Sequence, residues 1–90
     1  MSEIEERIGL EIYQANKNGE IIYFSKLIDR LAPLGITKND IDRCLDKMSD
    51  ICMTDEKWET LDDDRWVHSI CITKEYIPFF VEVEKRFSGV

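Results

Sequence analysis

The feature that most constrains the fold of this chain is a short turn between two amphipathic stretches near its centre. Pro33 and Gly35 end the first stretch, because proline cannot continue a helix and glycine accepts the conformation that closes one. Thr37 starts the second stretch as a helix N-cap, with Asp40 at the reciprocal capping position three residues later. The sequence therefore predicts two helices that are joined by a tight, glycine-containing turn.

Hydrophobic periodicity extends this pair into an α+β chain that is mostly helical. Ser2 and Glu5 predict a capping box at the start of a first helix, and Thr73 is expected to cap the last one. Three consecutive aspartates at 62–64 separate two β-prone stretches and predict a hairpin turn. In order, the predicted elements are a helix over residues 2–17, a short strand over 21–23, a helix starting near 24, a helix over 38–49, a hairpin of 58–61 and 65–72, and a helix over 74–87.

Ninety residues are enough for one domain, which is expected to span the whole chain. Nineteen acidic and twelve basic residues give a net charge of −7, which repels phosphate backbones and anionic membranes and favours basic partners. The longest apolar run, residues 77–81, is too short to span a membrane. The acidic beginning of the chain does not resemble a signal peptide, so a cytoplasmic location is expected.

Residues that could support catalysis or metal binding are sparse. His68 is the only histidine and has no apparent partner, so we expect a surface histidine rather than a general base. Cys44, Cys52 and Cys71 have no metal-ligand spacing and are interpreted as small buried apolar side chains in a reducing compartment. The sequence contains no phosphate-binding loop, nucleophile elbow or calcium-binding loop. We therefore predict a binding protein without catalytic residues, cofactor or metal.

Two parts of the sequence resemble winged helix-turn-helix domains. Residues 22–27, 34–41 and 45–48 match the helix-turn-helix pattern, and residues 72–75 match the opening of the helix after the wing. The chain is similar in this respect to small archaeal and bacterial transcription regulators of the MarR and PadR kind. The resemblance implies a three-helix core, a short strand plus a β-hairpin wing, and a C-terminal helix.

In such regulators the third helix enters the DNA major groove and the wing touches the backbone or the minor groove. The resemblance therefore implies DNA contacts by polar and basic side chains of the second helix, the third helix and the wing. These are Lys26, Lys38, Asn39, Arg43, Lys47 and Arg65.

The charge distribution opposes this DNA-binding prediction. Residues 38–50 contain three basic and four acidic side chains, and residues 55–65 contain two basic and six acidic ones. A surface that neutralises phosphates needs an excess of lysine and arginine. A protein-interaction module whose acidic wing and third helix contact a basic protein partner is therefore the alternative hypothesis.

Apolar residues also suggest further contacts. The last helix has more of them than one buried stripe needs, which predicts a homodimer interface as in the resembling regulators. Its predicted members are Ile77, Phe79, Phe80, Val83 and Phe87. The alternative is that the last helix packs against the first one and buries all of them. Trp58 and Trp66 lie on the two predicted wing strands and are expected to pair across the hairpin, with an exposed aromatic patch as the alternative.

Overall fold

The structure, a computed structural model, describes residues 1–89. These residues form an α+β fold that is mostly helical, as predicted, with four α-helices and one antiparallel hairpin. The elements are α1 (Glu3–Lys17), α2 (Phe24–Leu31), α3 (Lys38–Asp50), β1 (Thr54–Thr60), β2 (Trp66–Ile72) and α4 (Ile77–Phe87), with 3-10 turns at Ala32–Leu34 and Lys74–Tyr76.

Both predicted capping boxes are confirmed. In α1 the Ser2 hydroxyl accepts from the Glu5 backbone N–H at 3.2 Å, and the Glu5 carboxylate accepts from the Ser2 N–H at 2.8 Å. In α3 the same exchange joins Thr37 and Asp40 at 3.1 and 3.0 Å. Each box satisfies backbone donors that the first turn of a helix leaves unpaired.

The turn between α2 and α3 follows the prediction as well. After Leu31 the chain tightens into the 3-10 turn, and Gly35 then adopts the left-handed conformation with φ of 78°. Its N–H donates to the carbonyl of Ala32 at 2.9 Å. A residue with a Cβ would be strained at this φ, which explains the glycine.

The hairpin is confirmed and is longer than predicted. β1 starts at Thr54, which pairs with Ile72, whereas the prediction began at Trp58. The sequence Thr-Asp-Glu-Lys at 54–57 has no β-prone pattern, so its pairing depends on the partner strand rather than on its own residues. The loop closes with the Leu61 N–H donating to the Arg65 carbonyl at 2.8 Å.

The predicted short strand over residues 21–23 is wrong, because the described sheet has only β1 and β2. A single ladder-like bond remains, in which the Ile70 N–H donates to the Ile22 carbonyl at 2.9 Å. The Tyr23 carbonyl is already used by the N–H of Leu27 at the start of α2. The segment therefore turns into a helix before it can pair further.

The predicted cap by Thr73 is also wrong. Its hydroxyl donates to the carbonyls of Cys52 and Met53, at 2.8 and 3.2 Å, and so ties the end of β2 to the turn after α3. The 3-10 turn follows, and α4 begins only at Ile77, with Pro78 in its first turn. Proline is tolerated there because its missing N–H would have no helical partner.

Helix α1 lies at the centre of the fold and packs against α2, α3, α4 and β2. The core is continuous across these elements and excludes water from one face of each helix. Its buried apolar residues are Ile8, Leu10, Ile12, Tyr13, Ala15, Ile22, Leu27, Leu31, Ile36, Ile41, Cys44, Met48, Met53, Ile70, Ile72, Phe80 and Val83.

Candidate binding groove

A groove of about 530 Å³ lies between α3 and the hairpin, with the start of α2 at its base. Helix α3 and the hairpin supply its carboxylates, and aromatic and aliphatic side chains supply most of the rest. The lining residues are Tyr23, Phe24, Ser25, Asp42, Leu45, Asp46, Ser49, Glu56, Val67, His68 and Ile70.

The carboxylates of Asp42 and Asp46 lie on a different side of α3 from the cations of Arg43 and Lys47. Asp42 and Asp46, one helical turn apart, face the groove together with Ser49. Arg43 and Lys47 lie on another side of the helix, around a second depression that the start of α1 also lines. The part of α3 that lines the groove is therefore acidic, and Arg43 and Lys47 lie on the other side of the helix.

The basic side chains of α3 are also engaged within the chain. Lys47 forms an ion pair with Glu5 at 2.8 Å, and Arg43 forms one with Asp40 at 2.9 Å. The hydrogen bond from Lys47, with help from the Ser2 N–H, lowers the pKa of Glu5 from 4.5 to about 2. Both cations thus lie beside carboxylates that reduce their attraction for phosphate.

The predicted DNA contacts of the second helix and the wing are paired as well. Lys26 lies 2.8 Å from a carboxylate oxygen of Glu20 and donates to the Ile21 carbonyl at 3.2 Å. In the hairpin loop, Arg65 pairs with Asp63 through Nε at 2.7 Å. The backbone N–H of Arg65, followed by its guanidinium, holds the pKa of Asp63 below its ordinary value.

The remaining two predicted contacts, Lys38 and Asn39, lie exposed in the first turn of α3. The other four predicted residues lie in three different places. Arg43 and Lys47 share one side of α3, Lys26 lies beside Glu20, and Arg65 lies in the hairpin loop.

The preferred prediction that Trp58 pairs with Trp66 is wrong. The strand register places Trp58 opposite His68 and Trp66 opposite Thr60. The Trp58 and His68 rings meet edge to face with centroids 3.9 Å apart. Trp58 and Trp66 are 63% and 65% exposed, which agrees with the alternative prediction of an exposed aromatic patch, and His68 is exposed as predicted.

One residue that positions the groove was missed from the sequence. Asn16, near the end of α1, accepts from the Ile72 N–H at 2.8 Å and donates to the Ile70 carbonyl at 3.0 Å. These two bonds join β2 directly to α1. An asparagine near a helix end suggests only a cap, so no local signal marks this role.

Two members of the predicted dimer interface need correction. Phe80 and Val83 are fully buried in the core of the chain itself, so they do not lie on its surface. Phe87 is half-buried, with the Arg7 guanidinium 4.3 Å from its ring centroid. Ile77 and Phe79, 40% and 37% exposed, are the exposed members of the predicted set, and homodimerisation stays a prediction that depends on them.

The cysteines differ in their surroundings. Cys44 is buried as predicted, and its burial raises the pKa of the thiol to about 11. Cys52 is exposed, contrary to the prediction, because it lies in the turn after α3 with φ of 57°. Cys71 is half-buried.

Within residues 1–89, no three histidine, cysteine or acidic side chains are grouped as metal ligands. None of the helices in this part of the chain has the length and apolar character that crossing a membrane requires. The comparisons with known proteins found no matching family, no matching curated relative and no matching solved structure.

Proposed function

We propose that this chain is a non-enzymatic winged-helix module that binds a basic segment of a partner protein in the groove between α3 and the hairpin. The observation that carries the proposal is the segregation of charge on α3. Asp42 and Asp46 face the groove with Glu56, whereas Arg43 and Lys47 are held by carboxylates on another side.

The order of elements supports the winged-helix assignment. Helices α2 and α3 are joined by a tight turn, and the hairpin follows directly in the position of a wing. The bond between Ile70 and Ile22 lies where a third strand would complete the small sheet. A partner that contacts both α3 and the hairpin would therefore dock in the groove between them.

The charges of the groove favour a cationic occupant. Asp42, Asp46 and Glu56 are exposed carboxylates, and the net charge of −7 adds a long-range attraction for basic partners. The neighbouring apolar side chains, such as Phe24 and Leu45, offer contact area that a peptide chain can bury. A phosphate backbone in the same place would meet like charge.

DNA binding is the second candidate function, because the tight turn between α2 and α3 and the following hairpin are the elements that DNA-binding regulators use. Lys38 and Asn39, exposed at the start of α3, would supply contacts to the duplex. This candidate requires the ion pairs of Lys47, Arg43, Lys26 and Arg65 to rearrange on binding.

One titration at low salt tests both candidates. The protein is titrated with a short lysine- and arginine-containing peptide and, separately, with mixed-sequence duplex DNA. We expect saturable binding of the peptide and none of the duplex. The reverse result would support the DNA candidate and overturn the proposal.

Charge variants sharpen this test. The double variant Asp42→Asn, Asp46→Asn removes two groove carboxylates, and Asp29→Asn, Asp55→Asn makes the same charge change at exposed sites outside the groove. We expect the first double variant to weaken peptide binding clearly more than the second. If the groove instead faces DNA, removing Asp42 and Asp46 should strengthen duplex binding.

A further inference from the structure

We infer that the groove selects arginine side chains of its basic partner, which stack on the exposed indole rings of Trp58 and Trp66 while their guanidinium groups pair with the groove carboxylates. This inference rests on the proposed function and adds the chemical identity of the recognised side chain.

The strand register places the aromatic residues on the groove face of the hairpin. Directly paired residues of an antiparallel ladder share a face, and so do alternate residues along a strand. The pairs Glu56–Ile70, Trp58–His68 and Thr60–Trp66 therefore lie on one face. Glu56, His68 and Ile70 line the groove, so the two indoles continue the same face toward the tip of the hairpin.

The packing of the domain does not explain these tryptophans. Both are more than 60% exposed in a chain of 90 residues, where large apolar side chains are needed for the core. On the same face, Ile70 and Ile72 are buried and already anchor the hairpin to the helices. An exposed pair of indoles beside a polar groove is typical of a binding surface.

The combination of indoles and carboxylates fits arginine better than lysine. A guanidinium is planar and weakly hydrated, so it can stack on an indole face while its edge donates to a carboxylate such as Glu56 or Asp46. A lysine ammonium is a compact, strongly hydrated charge that gains less from the ring. The charge of the carboxylates attracts both side chains about equally, and bidentate pairing with a carboxylate adds to the preference for arginine.

Intrinsic fluorescence tests the inference, because Trp58 and Trp66 are the only tryptophans of the chain. The protein is titrated with two peptides of equal length and spacing, one with arginine and one with lysine at every basic position. We expect the arginine peptide to bind roughly three- to tenfold more tightly and to change the tryptophan emission.

Ring variants separate stacking from charge. Trp58→Leu and Trp66→Leu should each reduce the preference for arginine, whereas Trp58→Phe should retain part of it, because phenylalanine keeps an aromatic face. Glu56→Gln should weaken binding, and Asp55→Asn, which changes the neighbouring residue on the opposite face of β1, is the matched control. Circular dichroism of each variant confirms that the hairpin is folded.

The outcomes distinguish the inference from the proposed function. Equal affinity for both peptides, with no effect of either leucine variant, would overturn the arginine inference and leave the acidic groove intact as a binding site. Failure of both peptides to bind would overturn the proposed function and the inference with it.

Discussion

The ring of Phe80 in α4 lies directly against the backbone of Gly9 in α1, in the space that a Cβ atom would occupy. A Cβ built on Gly9 would overlap two ring carbons of Phe80 and lie 3.3 Å from the terminal methyl of Met48. The missing side chain thus lets α4 approach α1 closely enough to bury Phe80 completely. Glycine is otherwise unfavourable in the middle of a helix, so this contact explains its presence.

Gly9→Ala is therefore expected to destabilise the protein although it improves helix propensity. The propensity gain is about 1 kcal/mol, whereas overpacking a filled core costs roughly 1–3 kcal/mol. We expect the free energy of unfolding, measured by urea denaturation, to fall. Adding Phe80→Leu should relieve the overlap, so the double variant should lose less than the sum of the two single losses. A Gly9→Ala variant as stable as the parent would contradict this packing account.

The role of Gly9 illustrates which parts of the fold are accessible from sequence. The capping boxes of Ser2 and Thr37 and the Gly35 turn were predicted correctly, because each depends on residues within four positions. The fit of Gly9 to Phe80 depends on residues that are 71 positions apart. Hydrophobic periodicity identifies the apolar face of each helix. It does not reveal that the ring of Phe80 packs where only a glycine leaves enough space.

The same limit applies to the candidate groove. The acidic character of α3 and of the hairpin was evident from the sequence, but Lys38, Asn39, Arg43 and Lys47 were all assigned to one DNA-contacting surface. The structure divides them, because Lys47 reaches Glu5 of α1, a partner that the sequence of α3 does not reveal. Similarly, the expected pairing of Trp58 with Trp66 implied the wrong register, because the strands pair Trp58 with His68.

Asn16 should contribute more to the position of the hairpin than its place near a helix end suggests. Asn16→Ala removes both bonds to β2 and leaves the Ile72 N–H and the Ile70 carbonyl unpaired, at a cost of roughly 1–3 kcal/mol. Asn16→Asp keeps the acceptor for Ile72 but places a carboxylate beside the Ile70 carbonyl, so it should be no more stable than the alanine variant. Thermal unfolding measures both effects.

Hydrogen exchange provides the local readout for Asn16. The Ile72 amide should exchange faster in Asn16→Ala than in the parent, relative to amides in the middle of α1. Asn18→Ala, at the exposed end of the same helix, is the control and should leave β2 protected. Unchanged exchange at Ile72 would show that the hairpin is held by its apolar contacts alone.

The ion pair between Glu5 and Lys47 predicts a specific acid sensitivity. The pKa of Glu5 is about 2 in the folded protein and 4.5 without its partners, so the folded state favours the ionised form. Its stabilising contribution is fully present above pH 4.5 and is lost as the pH falls toward 2. Glu5→Gln removes the charge but keeps an acceptor for the capping box. The variant should therefore flatten the pH dependence of the free energy of unfolding between pH 4.5 and 2.

Urea denaturation of the parent and of Glu5→Gln at a series of pH values measures the difference in their free energies of unfolding. Glu3→Gln is the control, because Glu3 lies in the same first turn of α1 and is exposed. We expect the stability curves of the parent and Glu5→Gln to converge as the pH approaches 2. A constant gap between them at every pH would mean that Glu5 acts through packing rather than through its charge.

The three thiols should react in an order set by their surroundings. Cys52 is exposed and should be alkylated first, with the half-buried Cys71 second. Cys44 is buried, and its raised pKa of about 11 makes its thiolate roughly a hundredfold scarcer than at its ordinary value of 9.0, so it should react only when the protein unfolds. A time course of iodoacetamide labelling followed by peptide mass spectrometry gives the three rates. In denaturant the three labelling rates should become similar. In the native protein the Cys44 rate reports how often the contact between α3 and α1 opens. Native labelling of Cys44 as fast as that of Cys52 would therefore contradict the burial of α3 against α1.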